Sequence, residues 1–271
     1  MDRVGAVSSA AQLSAGRVAE AACGDGRLWT EVRVVAETGS TNADTLRAAG
    51  AGAPEGLVIA AEAQTAGRGR QGRCWVSLPG AALTFSVLLR PAAIPPAARG
   101  WLPLLAGVAA ATAIRAMTGV DARLKWPNDI LAGDRKLAGI LAEQAGDAVV
   151  VGIGINVGGA AGVLPVPTAT SLDACGAAGA DRSELLAALL GQLEHRYLAW
   201  AGAHGDPADS GLRDAYLGLS ATVGRTVRVE LPGGRCLAGV ATGIDGAGRL
   251  LVAAQGGTET AVSAGDVIHL R

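Results

Sequence analysis

A chain of 271 residues, half of them apolar, is long enough for one large domain with a filled core and a small second one. Its formal net charge of −1 lacks the basic excess of a nucleic-acid binder, and no signal core or charge-free apolar stretch of about 20 residues stands out, so the reading is a soluble intracellular protein without a membrane partner. Only 3% of residues are aromatic, which predicts a core of small and branched side chains. Cys23, Cys74, Cys175 and Cys236 lie far apart, with no CxxC pair, which argues against zinc and disulfides and for the reducing cytoplasm.

In chain order, residues 1–30 predict one short helix, Ala10 to Ala22, stopped at Gly24-Asp25-Gly26. Val32 to Ala36 reads as a strand, and a helix capped by Ser40 or Thr41 follows, running to Ala49. Leu57 to Ala63 and Leu83 to Leu89 read as strands, with the loop Gly67-Arg68-Gly69-Arg70-Gln71-Gly72-Arg73 between them. Trp101 to Met117 predicts an Ala/Leu-rich helix. After the turn Pro127-Asn128-Asp129, Leu137 to Ala142 and Val149 to Val157 suit central strands, and residues 158–180 predict a surface loop. Asp181 with Glu184 predicts a capping box for a helix whose Leu186, Leu189, Leu190, Leu193 and Tyr197 form one buried face. From about Thr222, alternation at Val227, Val229 and Leu231 announces short strands. The expected division is a helical segment at 1–30, a mixed α/β catalytic domain at 31–221 and a small β-barrel at 222–271.

Four clusters carry chemistry. The loop at 67–73 interleaves arginines with glycines, so amides and guanidinium groups can surround an anion, although a solvated basic loop or an RNA contact fits the same residues. It has neither the Lys-Ser/Thr pair of a Walker loop nor Rossmann spacing. Lys125-Trp126-Pro127-Asn128-Asp129, with Lys136 beyond, brings two lysines and a carboxylate around one turn, and reads equally as a surface ion pair beside a rigid Trp-Pro step. Ser40-Thr41-Asn42 is a plain N-cap or a polar ligand contact. Gly152-Ile153-Gly154-Ile155-Asn156 lets a planar group approach a buried strand, with Asn156 free to bond an adenine edge or local backbone. Together they suit adenylation of a carboxylic acid, in which cations neutralise a triphosphate and no side-chain nucleophile is needed.

These motifs, with Gln64-Thr65-Ala66 before the arginine loop and Arg135-Lys136-Leu137-Ala138-Gly139-Ile140-Leu141, closely resemble the biotin–protein ligase family from about residue 31 to the C-terminus. The resemblance implies a catalytic fold like that of class II aminoacyl-tRNA synthetases, with a mixed sheet and flanking helices, plus a C-terminal Src-homology-type barrel. It implies that Ser40, Thr41, Asn42 and Gln64 hold the ring system of biotin, and that Arg68, Gly69 and Arg70 close over its carboxylate and the phosphates. Lys136 would touch both biotin and the α-phosphate, with Arg70, Lys125 and Asp129 as its catalytic companions. Trp75, Asn128 and Asn156 would help place the nucleotide. ATP, biotin and Mg2+ are the implied small molecules, the metal riding on the phosphates rather than in a protein-only site. A biotin carboxyl carrier domain is the implied acceptor, and a monomer or weak homodimer the expected state. A lipoate–protein ligase is the enzymatic alternative. A biotin-responsive repressor is the other, disfavoured because 30 leading residues are too few for a winged helix.

Overall fold

The structure, a computed structural model, describes residues 12–76, 80–159, 164, 166–254 and 256–270. The chain runs α1 (Ala15–Ala22), β1 (Glu31–Thr38), α2 (Thr41–Gly50), β2 (Leu57–Gln64), β3 (Ala82–Leu89), α3 (Leu102–Thr118), β4 (Ala122–Lys125), β5 (Asp129–Ala132), β6 (Arg135–Ala145) and β7 (Ala148–Asn156). It continues with α4 (Arg182–Gly202), α5 (Leu212–Leu219), β8 (Thr226–Glu230), β9 (Cys236–Ile244), β10 (Leu250–Ala253), β11 (Glu259–Val262) and β12 (Asp266–His269). Strands β1 to β7 make one mixed sheet in the order β1-β2-β3-β7-β6-β5-β4, in which only β1 and β2 run parallel. Strands β8 to β12 form a separate antiparallel sheet in the order β11-β10-β9-β8-β12.

Local chemistry explains most boundaries. Ser40 caps α2 by accepting from Ala43 N, and Asp181 caps α4 by accepting from the amides of Ser183 and Glu184. Helix α1 is shorter than the predicted Ala10–Ala22. Ser14 accepts from Arg17 N and starts the helix at Ala15, while residues 1–11 lie outside the described set. Residues 168–172 do not loop over the surface as expected. Thr170, Ser171 and Leu172 are buried, because Lys136 N donates to Thr168 O (2.9 Å), Thr170 N to Lys136 O (2.8 Å) and Leu172 N to Asn156 O (3.0 Å). The predicted turn at 127–129 is the tip of a hairpin, with Lys125 and Asp129 paired across β4 and β5.

Helices α1, α3 and α4 cover one face of the large sheet, where Leu83, Phe85, Val151, Ile153 and Ile155 meet Leu105, Val108, Leu189 and Trp200. The stretch Pro96–Thr118 is long and apolar enough to cross a membrane by length and composition; here it is the central core helix, packed on α4 and the sheet. On the opposite face α2 packs, seating Leu46 and Ala49 on Leu57, Ile59, Leu88 and Val150. Beyond α2 that face borders a cavity walled in part by the arginine loop and Trp75.

Small and branched residues fill the core as composition predicts, but the rare aromatics hold the joints. Trp101 is fully buried, meets Tyr216 edge to face at 6.0 Å, and donates its Nε1–H to Asp245 O (3.0 Å) in the β9–β10 turn. Trp126 donates its Nε1–H to Gly248 O (3.1 Å) in the same turn. A Cβ on Gly100 would collide with Ala247 O, so the turn seats against backbone. Trp101→Ala therefore removes a core aromatic and the seat of the second sheet together; it is expected to cost about 3–5 kcal/mol in urea unfolding.

Candidate active site

The open part of the sheet is hollowed by its sequence. Side chains alternate along β7, so Ile153 and Ile155 enter the core while Gly152, Gly154 and Asn156 face the other way. Gly154 pairs with Gly139 of β6 on that same face. A Cβ at Gly152 would collide with the Asn42 amide, and one at Gly154 would lie 2.5 Å from the Trp75 indole. The missing side chains leave a cavity of about 600 Å³. All the residues singled out from the sequence line it: Ser40, Thr41, Asn42, Gln64, Arg68, Gly69, Arg70, Trp75, Lys125, Asn128, Asp129, Lys136 and Asn156.

One end is lined by polar side chains, with the Glu143 carboxylate behind Asn42. Gln64 Oε1 accepts from the backbone N–H (2.8 Å) and hydroxyl (3.1 Å) of Thr41. The Ser86 hydroxyl lies 2.8 Å from Thr41 Oγ1 and 2.6 Å from Asn42 Oδ1, and Asn42 Nδ2 donates to Glu143 Oε2 (2.8 Å) and Leu141 O (3.2 Å). Ser86 and Glu143 were missed from sequence. The alternation of Thr84 and Ser86 with Leu83, Phe85 and Val87 was the available signal for Ser86. Asn156 is more committed than an adenine reader would be, since its amide nitrogen donates to Thr170 O (2.9 Å).

The other end is charged. Lys136 Nζ sits 2.6 Å from Asp129 Oδ1, and Lys125 faces the same carboxylate from the paired strand. Burial pulls the Lys125 ammonium below the ordinary lysine range; Asp129 opposes this, while Lys136 and Arg73 add to it. Arg70 Nη1 donates to Asn128 Oδ1 (3.2 Å), and Asn128 Nδ2 to Ile140 O (2.9 Å). Burial also lowers the Arg70 guanidinium, against the pull of Asp129. The arginine loop is a closed turn, held by Gly69 N to Arg73 O (2.7 Å) and Trp75 N to Gly67 O (2.9 Å). Arg73 ion-pairs with Asp266 of β12, so the second sheet supplies part of the rim, a contribution no local motif announced. The Trp75 indole N–H is buried without a hydrogen-bond partner among the described residues.

Among the described residues no three Asp, Glu, His or Cys side chains cluster to hold a metal. The cavity carboxylates are each ion-paired: Asp129 with Lys136, Asp134 with Arg225, Glu230 with Arg228 and Asp266 with Arg73. That donor set suits a cation brought in on phosphate oxygens and not one held by protein alone.

Residues 35–159 match the Biotin/lipoate A/B protein ligase family and residues 222–270 the Biotin protein ligase C terminal domain. A biotin--[acetyl-CoA-carboxylase] ligase of Mycobacterium tuberculosis is 46% identical over 252 residues, covering 92% of each chain. The chain belongs to the biotin protein ligase family. The bifunctional ligase/repressor BirA of Bacillus subtilis is 36% identical over 78% of this chain and 66% of its own length. Among solved structures, the Aquifex aeolicus biotin protein ligase in complex with biotin and ATP superposes with a TM-score of 0.75 at 26% identity, covering 90% of this chain and all of that one. The Leishmania major ligase in complex with biotinyl-5-AMP gives 0.60 at 25% identity, over 87% of this chain and 99% of that one.

In this ligase the glycines of β7, with Gly139 of β6, leave the room in the cavity wall. Gly152→Ala places a methyl group against the Asn42 amide, so the KM for biotin in a pyrophosphate-exchange assay is expected to rise about tenfold or more, with the circular dichroism unchanged.

Proposed function

We propose that this biotin protein ligase forms biotinyl-5′-AMP from biotin and ATP, then passes the biotinyl group to a lysine of a biotin carboxyl carrier domain such as that of acetyl-CoA carboxylase. The observation that carries the residue assignment is the single cavity that sets the Thr41–Asn42–Gln64 end against the Lys125–Asp129–Lys136–Arg70 end. The ureido ring of biotin needs donors and acceptors together, which Ser40, Thr41, Asn42 and Gln64 offer. Its carboxylate then points toward Lys136 and Arg70.

In the first step a carboxylate oxygen of biotin attacks the α-phosphorus of ATP, the bond to the bridging oxygen breaks and pyrophosphate leaves. Negative charge is held on the α-phosphate and leaving group throughout. Lys136 and Arg70 meet it at the α-phosphate, with Lys125 and Arg68 beside them and Gly69 supplying close backbone approach. Magnesium, when bound with ATP, neutralises the phosphate oxygens. Trp75, with its unpartnered N–H, Asn128 and Asn156 border the nucleotide. In the second step a neutral lysine amine of the carrier attacks the anhydride carbonyl and AMP departs. Asp129, within ion-pair distance of Lys136, orients the amine or takes its proton. The four unpaired cysteines suit a cytoplasmic setting.

Incubation with ATP, magnesium, biotin and an apo carrier domain tests the whole reading; added biotin on the carrier lysine, and none when lipoate replaces biotin, is the expected result. Lys136→Ala is expected to lower biotin-dependent pyrophosphate release about 100-fold or more; an unchanged rate would remove Lys136 from the first step. Asp129→Asn is expected to slow transfer from preformed biotinyl-adenylate to the carrier about 100-fold, read in a single-turnover assay.

A further inference from the structure

A short hydrogen-bond chain ties the last strand of the second sheet to the charged end of the cavity. The segment 220–222, which joins α5 to β8, lies along β4: Leu124 bridges to Ser220, and Ala221 N donates to Leu124 O (2.7 Å). The Trp126 backbone N–H, one residue beyond Lys125, donates to Thr222 Oγ1 (3.2 Å). On its other side Thr222 Oγ1 lies 3.1 Å from Nε2 of His269, at the end of β12. Thr222 is fully buried.

The charged groups that face His269 are Lys125 at the end of β4, Arg225 ahead of β8 and Asp134 in the β5–β6 turn. Burial, with the two cations, pushes the imidazole down to about 4, so it is uncharged near neutral pH. A neutral imidazole has one acceptor nitrogen. Thr222 Oγ1 accepts from Trp126 and keeps a second lone pair and one proton, so it can bond His269 Nε2 in either neutral tautomer of the ring. The chain links the Trp126 N–H through Thr222 Oγ1 to His269 Nε2.

We infer that His269 is a positioning residue for adenylation: through Thr222 it holds the Trp126 amide, and thereby sets the neighbouring Lys125 against Asp129. The inference rests on the role proposed above for Lys125. The second sheet then does more than border the cavity, since its last strand fixes where a phosphate-facing lysine sits. Displacing such a group by about 1 Å costs on the order of 100-fold in rate.

The test uses the full chain in biotin-dependent ATP–pyrophosphate exchange, with thermal melting of each variant as a folding check. His269→Phe and Thr222→Val remove the end of the chain and the relay respectively and are expected to lower kcat about tenfold with the KM for biotin unchanged. His269→Gln, whose side-chain amide can bond the Thr222 hydroxyl as acceptor or donor, is expected to return kcat to within about twofold of wild type. In a Lys125→Met background, His269→Phe is expected to cause no further loss. Undiminished kcat in both His269→Phe and Thr222→Val overturns the inference. So does an equal fractional loss from His269→Phe with and without Lys125, the mark of general loosening. Should Lys125→Met keep full exchange, the role of Lys125 fails first, and the route assigned to His269 falls with it. If His269→Phe melts early, Thr222→Val carries the same comparison.

Discussion

Side chains on a β-strand alternate between faces, and in β7 that alternation sends Ile153 and Ile155 into the helical core while Gly152 and Gly154 leave the opposite face bare. Everything at the site depends on this bareness. Asn42 can reach from α2 to Ser86 and Glu143 on the sheet only because Gly152 has no Cβ, and Trp75 can lie over the sheet only because Gly154 and Gly139 are paired beneath it. A glycine in a strand interior sacrifices packing and conformational entropy. Here that loss opens about 600 Å³ beside a fully packed core.

The charges follow a second rule, that a partly buried cation needs a partner until its ligand arrives. Asp129 serves Lys136 directly and faces Lys125 across the β4–β5 pair; Asn128 accepts from Arg70; and Asp266 holds Arg73. Burial has lowered both Lys125 and Arg70, so the site gathers positive charge at some electrostatic cost. A polyanionic ligand would relieve that cost on binding, as the proposed adenylation requires.

The second sheet is joined to the first by chemistry concentrated at three points. Trp101 and Trp126 each spend an indole N–H on the β9–β10 turn, the glycines at 100 and 248 let backbone touch backbone, and Thr222 binds both Trp126 and His269. The Lys-Trp-Pro-Asn-Asp segment thus has two faces. Its lysine and aspartate look into the cavity, while its tryptophan is a structural anchor.

Much of this was legible in the amino-acid order, because it depends on neighbours in sequence. The caps at Ser40 and Asp181, the strand character of Leu57–Gln64 and Ala148–Asn156, and the grouping of arginines with glycines at 67–73 all follow from side chains acting within a few residues of themselves. The clusters at 40–42, 67–73, 125–136 and 152–156 stood out by residue chemistry, Gln64 and Trp75 came in only through the family resemblance, and the fold gathers all of these candidates around one cavity. The burial of Thr170 to Leu172 was not legible, since it is decided by hydrogen bonds to the distant strands β6 and β7; the Ser14 cap and the hairpin around Asp129 are local features that the chain-order reading passed over. Nor could the sequence announce that Glu143 supports Asn42, that Asp266 meets Arg73, or that His269 lies against Lys125. Local order determined the strands, the caps and the reactive groups. Tertiary structure alone decided which charges share a space, because electrostatic pairing depends on distance through the fold and not on separation along the chain.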